Sequence, residues 1–117
     1  GRMTDEKWDD LVFMVEQKFG FDERFTEPYY EQGEAETRVK RGETEVLVFT
    51  TPAGRMRLER ISRPLVLDKK FHYHKGSAGS AQVEYVYSET EKTHSLQAFR
   101  EIDGEWQPVD TSLPLGG

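Results

Sequence analysis

The stretch TEVLVFTTPAGRMRLERIS, residues 44–62, decides the fold class of this chain. Its two halves, 44–51 and 55–62, are short and read as strands, and Pro52-Ala53-Gly54 separates them with turn-forming residues. A connection between parallel strands needs a dozen or more residues, so three turn residues allow only an antiparallel pair. The stretch therefore predicts two neighbouring antiparallel strands.

The same pattern continues on both sides of this stretch, from about residue 35 to residue 109. Segment 21–34, which Pro28 and Gly33 interrupt, is predicted to be a connection. Turn residues at 41–43, 52–54, 63–64, 76–80, 89–92 and 103–104 separate the other segments. The predicted strands are 36–41, 44–51, 55–62, 65–75, 81–88, 93–102 and 105–109.

An amphipathic helix is predicted before the strands, at residues 5–19. Its apolar side chains recur at helical spacing, Thr4 is a suitable N-cap and Gly20 a suitable C-terminal stop. The fold class that follows is α+β: one N-terminal helix packed on a twisted antiparallel β-meander of six to seven strands. We expect a single domain over residues 3–110, with residues 1–2 as an expression scar and 111–117 as a flexible tail.

Composition excludes several classes of function. The 117 residues include no cysteine, so a disulfide framework, a thiolate zinc site and a cysteine nucleophile are excluded. No apolar run has the length of a membrane span, and no signal peptide is evident. We expect a cytoplasmic protein that has no cofactor and no membrane partner.

The register of the predicted sheet assigns side chains to two faces. Pairing His74 with Gln82, and Ser88 with Thr93, collects one apolar set that we expect to form the core under the helix. Its members are Leu65, Leu67, Phe71, Tyr73, Val83, Tyr85, Tyr87, Leu96 and Ala98. The opposite face carries Val86, Phe99 and Trp106, with Trp106 opposite Glu101 across an Asp103-Gly104 turn. An uncovered apolar patch there predicts a protein interface or a homodimer contact.

Charge is unevenly distributed along the chain. The net charge is −6, yet residues 55–75 hold seven basic side chains against two acidic ones. With nearby aromatics, this hairpin predicts a surface for an anionic partner such as nucleic acid. The alternative is cross-strand pairing with acidic residues such as Glu43, Glu45, Glu84 and Glu89. The predicted anion-binding residues are Arg55, Arg57, Arg60, Lys69 and Lys70.

The three histidines are the remaining chemical candidates. His72 and His74 point to one face of a strand and form a weak metal-site pattern, which we interpret as two polar strand residues. His94 is predicted to lie beside Tyr87 as a hydrogen-bonded core or rim residue. If the sheet curls around a pocket, Tyr85, Tyr87 and His94 would line it.

The central stretch RMRLERISRPLVLDKKFHYHKGSAGSAQVEYVYSETEKTHSLQAF, residues 55–99, resembles short uncharacterised proteins of bacterial origin. The resemblance implies a bacterial cytoplasmic setting and transfers no site residues. The sequence thus favours a non-catalytic protein-interaction or homodimerising module. The alternatives are a nucleic-acid-binding domain that uses hairpin 55–75 and a small-ligand binder with a pocket in the curled sheet.

Overall fold

The computed structural model describes residues 2–73 and 81–111, with the backbone alone at 72, 73, 81 and 82. The described residues form an α+β fold with five antiparallel strands in the sheet order β1-β2-β3-β4-β5. The elements are α1 (Asp5–Lys18), β1 (Glu23–Gln32), a 3-10 turn (Glu34–Glu36), β2 (Arg38–Thr51), β3 (Gly54–Tyr73), β4 (Ala81–Ile102) and β5 (Glu105–Val109).

The helix forms where the sequence predicts it. The Thr4 hydroxyl accepts a hydrogen bond from the Lys7 backbone N–H at 3.2 Å, and Gly20 follows the helix with a φ of 74°. Trp8, Val12 and Val15 are its buried side chains. No helix within residues 2–73 and 81–111 is long and apolar enough to cross a membrane.

The prediction of six to seven strands is wrong because three predicted turns do not reverse the chain. Segments 36–41 and 44–51 are joined within β2, 55–62 and 65–75 within β3, and 81–88 and 93–102 within β4. At the predicted turn 89–92, the Ser88 hydroxyl accepts hydrogen bonds from the backbone N–H groups of Thr90 and Glu91, while β4 continues. Turn-forming residues therefore made bulges here instead of hairpins.

Strand β1 lies in the segment that we predicted to be a connection. It is an outer strand, and nearly all of its side chains are exposed, so its sequence lacks the apolar alternation of a half-buried strand. Pro28 is accommodated because an outer strand has one side without ladder hydrogen bonds.

Irregularities in all four long strands fall at one level of the sheet. β1 has a bulge at Tyr29/Tyr30, and β3 has register shifts between Pro64 and Asp68. A Cβ on Gly42 would collide with the Ser62 carbonyl oxygen, so only glycine fits where β2 passes β3. We call residues 2–28, 43–62 and 93–111 the body, because the helix packs there.

Two hairpins continue beyond this level. The ribbon consists of residues 64–73 of β3 and 81–92 of β4, and the short arm consists of residues 29–42 of β1, β2 and their connection. β2 pairs with β3 only as far as Glu43↔Ser62, so the two hairpins share no ladder. The molecule is accordingly elongated, with extents of 62 × 34 × 25 Å.

The core lies in the body, between α1 and one sheet face. It contains the buried helix residues together with Leu47, Phe49, Leu58, Leu96 and Ala98. Of the predicted core face, Leu96 and Ala98 are confirmed as buried. The prediction is wrong for Leu67, Phe71, Val83 and Tyr85, which are exposed.

The reason for this error is the register beyond the bulges. β4 does not fold back at residues 89–92, so Tyr85 does not meet Leu96 as predicted. Phe71 pairs with Val83, two residues from the predicted Tyr85. A register shift of two residues leaves every side chain on the same face of the sheet. Phe71, Val83 and Tyr85 therefore share a face, as expected. Among the described residues, no helix lies over that face.

Candidate interaction surface

The three predicted interface residues do not form one patch. Val86 lies in the ribbon opposite Asp68, whereas Phe99 lies in the body on the same strand, thirteen residues further on. At 3.3 Å per strand residue, they are on the order of 40 Å apart. Trp106 does lie opposite Glu101, as predicted, on the same face as Phe99. All three side chains are half-buried.

Arginine side chains explain why the body face opposite α1 is not open. Arg57 on β3 lies 5.7 Å from the Phe25 ring and 3.7 Å from the Glu27 carboxylate, both on β1. Its side chain therefore crosses β2, where Val46 and Val48 have no exposed surface. A long aliphatic stem with a charged end covers apolar surface in this way.

Arg55, two residues before Arg57 on β3, covers the neighbouring part of the same sheet face. Its guanidinium lies 5.7 Å from the Trp106 ring and within 3.4–3.7 Å of the carboxylates of Asp22, Glu23 and Glu101. Arg55 and Arg57 are thus surrounded by acidic and aromatic neighbours, and their charges are neutralised locally.

The predicted anion-binding residues are divided among three surfaces. Arg60 is on the helix side of the sheet, is 5% exposed, and donates hydrogen bonds to the Asp5 carboxylate and the Met3 carbonyl. The hydrogen bond and the charge of Arg60 lower the pKa of Asp5. Lys69 and Lys70 belong to the ribbon, and Lys70 lies opposite Glu84. The structure therefore does not bring these five residues together.

The acidic neighbours agree in part with those we expected, because Glu84 lies opposite Lys70 and Glu45 opposite Arg60, but other pairs were not expected. Arg63, for example, pairs with Glu31 at 3.2 Å, and Glu43 pairs with Lys40 at 2.7 Å, which raises the pKa of that lysine. Pairing as such is present, as the alternative interpretation of the basic hairpin proposed.

The ribbon presents the apolar surface that the sequence assigned to the core. Five of its apolar side chains are 44–60% exposed: Val66, Leu67, Phe71, Val83 and Tyr85. Phe71 pairs with Val83 and Lys69 pairs with Tyr85. These four side chains therefore lie on one face of the ribbon. The Lys69 ammonium is 5.2 Å from the Phe71 ring centroid and 5.7 Å from that of Tyr85.

The short arm meets the base of this face. The Arg41 guanidinium lies 4.3 Å from the Tyr87 ring, and the Tyr85 and Tyr87 rings are 6.4 Å apart. A groove of about 570 Å³ runs between the arm and the ribbon, with Glu31 and Glu34 on one wall and the two tyrosines on the other. The apolar face is thus bounded by the carboxylates of Glu31 and Glu34 on the side of the short arm.

A polar cavity of about 520 Å³ lies on the helix side of the sheet, beyond the start of α1. Within it, Ser62 Oγ and His94 Nδ1 are 2.6 Å apart, so His94 is a hydrogen-bonded rim residue as expected, beside Ser62 instead of Tyr87. Burial and the charge of Arg60 lower the pKa of His94. The Asp5 carboxylate is 4.0 Å from His94 Nε2 and is held by Arg60, so no Ser-His-Asp relay is formed.

The predicted pocket of Tyr85, Tyr87 and His94 is not formed as one site. The two tyrosines line the groove at the ribbon, and His94 lines the separate polar cavity. An apolar cleft of about 460 Å³ lies between the second half of α1 and the β2–β3 hairpin, with Met14, Phe19 and Met56 in its walls.

The weak metal pattern cannot be followed to its side chains. The backbone of His72 pairs with Gln82, but its side chain and all of His74 lie outside the described residues, as do loop 76–80 and tail residues 112–117. Among the described side chains, no group of three or more histidines and carboxylates is placed to hold a metal ion.

Comparison with known proteins adds no relative from which a role could be transferred. The chain matches no protein-family model, no curated protein and no solved structure.

Proposed function

We propose that the protein is a non-catalytic protein-interaction module whose contact surface is the apolar face of the ribbon. The observation that carries the proposal is the exposure of Leu67, Phe71, Val83 and Tyr85 on a hairpin that packs against no helix. A contiguous exposed apolar patch of this kind is typical of an interaction site.

Energetics support the same role. A two-stranded hairpin alone in water is marginally stable, because only half of its backbone groups have ladder partners and its side chains stay hydrated. A partner that covers the ribbon face would remove apolar surface from water, at about 25 cal/mol per Å² buried. The body needs no such partner, because α1 on one face and arginine side chains on the other already cover it.

The alternative from the sequence, nucleic-acid binding, is less well supported. Arg55, Arg57 and Arg60 all lie within 4 Å of carboxylates, and the Lys69 ammonium lies above two aromatic rings. Releasing these cations to phosphates would break their existing contacts, and the net charge of −6 opposes approach to a polyanion.

Site-specific photocrosslinking tests the proposed surface whatever the partner. Phe71 is replaced by benzoylphenylalanine, and Phe13, an exposed side chain on α1, receives the same replacement as the matched control. We expect a crosslinked species from position 71 in cells, at much lower yield from position 13. The crosslink should vanish when Tyr85→Glu is added. Equal yields from both positions, or a yield from position 71 unaffected by Tyr85→Glu, would contradict the proposal.

A further inference from the structure

The outer edge of β3 in the ribbon is a free pairing edge. β2 leaves β3 after Ser62, and within the described residues no strand lies beside β3 from Pro64 to Tyr73 on that side. A free edge of this kind is a template for another strand. The outer strands β1 and β5 carry Pro28 and Pro108, which limit pairing, whereas residues 65–73 contain no proline. The opposite edge of the ribbon, in β4, also lies beyond the β4–β5 ladder, but all charged residues from 81 to 91 are acidic, so two copies of it would form no opposite-charge pairs there.

The sequence of this edge is complementary to itself. In an antiparallel pair centred on Lys69, Leu67 of each copy faces Phe71 of the other, and Asp68 of each faces Lys70 of the other. Two apolar pairs and two opposite-charge pairs arise together, and each such cross-strand pair contributes about 0.2–1 kcal/mol in known sheets. No other residue of β3 has both kinds of pair around it at these spacings.

We propose that the occupant of the ribbon surface is a second copy of this chain, paired antiparallel through residues Leu67–Phe71 of β3. The inference rests on the proposed function, because it names the partner of the same ribbon. The pair has two-fold symmetry, so it uses the β3 edge of both copies, and β4 becomes the outer strand on each side. Two two-stranded ribbons become one four-stranded sheet whose apolar face is twice as large.

The central Lys69 pair is the one like-charge contact in this arrangement. Each ammonium lies over the rings of Phe71 and Tyr85 in its own copy, which draws it from the strand edge towards the aromatic face. In the single chain the Lys69 backbone N–H donates to the Asp68 carboxylate at 2.7 Å. On pairing, that N–H donates to a carbonyl of the second copy, and the Asp68 carboxylate becomes the partner of Lys70.

Charge reversal with rescue tests the register. Light scattering and sedimentation give the dimer dissociation constant of the wild type, Asp68→Lys, Lys70→Asp and the double variant. Each single change places like charges opposite one another twice, and we expect a dissociation constant about tenfold higher, equivalent to about 1.4 kcal/mol. The double variant restores both opposite-charge pairs and should return close to the wild-type value. Lys7→Asp, on the exposed start of α1, is the control with the same charge change as Lys70→Asp.

Each outcome decides between the two proposals. A monomeric wild type overturns the second-copy inference, and if position 71 still crosslinks to another protein, the interaction role stands. A dimer that the single variants leave unchanged, or that the double variant fails to rescue, overturns this register while leaving the ribbon as the surface. A monomer without crosslinking removes both. Near-ultraviolet circular dichroism of every variant establishes that the body is folded.

Discussion

The body and the ribbon share two long strands, β3 and β4, but they differ in what covers these strands. In the body, α1 lies on one face, and Arg55 and Arg57 cross the other, so apolar residues of β2 and β3 are buried. In the ribbon, Phe71, Val83 and Tyr85 have similar apolar character and remain exposed. The difference teaches that the apolar pattern of a strand does not by itself distinguish a core from a binding surface.

The largest expected contrast comes from one substitution made in both regions. Leu58→Ala removes a side chain that is 2% exposed and should lower the free energy of unfolding by about 2–5 kcal/mol. Leu67→Ala removes one that is 60% exposed and should change it by about 0.5 kcal/mol or less. Chemical denaturation at low protein concentration, where dimers dissociate, measures both. Similar losses would mean that the ribbon has a core of its own.

The boundary between the regions can be tested at Gly42. Gly42→Ala places a methyl group against the Ser62 carbonyl and should cost about 1–3 kcal/mol as overpacking. Gly104→Ala is the control: no atom lies within 4 Å of its added Cβ, and only the φ of 83° opposes the change. Amide exchange should accelerate first around residues 42 and 62 in Gly42→Ala. Acceleration beginning in α1 would contradict a local boundary.

The pH dependence of stability should depend on His94 in the body. Its pKa is lowered in the folded state by burial and Arg60, so the unfolded chain binds this proton first as the pH falls. Stability is therefore lost as the pH drops below 6.5, and His94→Gln should flatten the slope between pH 7 and 5. The groups that face His94 are Arg60, Lys92, Asp5 and Glu45. The lowered pKa of Asp5 adds a further loss below its ordinary pKa of 3.8. An unchanged slope in His94→Gln would disprove the assignment.

The smallest expected effect concerns the basic residues. Because the arginines of the body are paired, short RNA and DNA should show no salt-sensitive anisotropy change with the wild type at micromolar concentration. Lys69→Glu/Lys70→Glu should leave that result unchanged. If the wild type binds nucleic acid, the binding weakens with salt and this variant loses it, the ribbon would be a nucleic-acid-binding surface instead of a protein-binding one.

Local sequence signals predicted most of the elements and their order. Thr4 and Gly20 bound the helix, and Pro52-Ala53-Gly54 and Asp103-Gly104 reverse the chain, as expected from their side chains and φ preferences. Gly42, Pro64 and the 89–92 segment carry similar signals but produce a close crossing and bulges. Whether a turn residue reverses a strand depends on the pairing available on either side, which local sequence does not contain.

The candidate surface was only partly predictable. The sequence correctly grouped Phe71, Val83 and Tyr85 on one face, because a shift of two residues preserves alternation. It placed that face under the helix, because a hairpin at residues 88–93 would have brought Tyr85 beside Leu96. One signal that distinguishes the ribbon is Lys69, a charge within an otherwise apolar face, which a buried core would not accommodate without a partner.

The sequence by itself determined the α+β class, the antiparallel connections, the position of α1 and the two-sided pattern of each strand, because caps, turns and alternation act over a few residues. Tertiary structure alone decided that six of the seven predicted segments join into three longer strands, that β1 is an outer strand and that Arg55 and Arg57 cover one face of the body. It also decided that an apolar hairpin face, that of the ribbon, lies outside the core. These features depend on contacts between residues distant in the chain, such as Arg57 with Phe25 and Arg60 with Asp5, whose geometry exists only once the strands have paired.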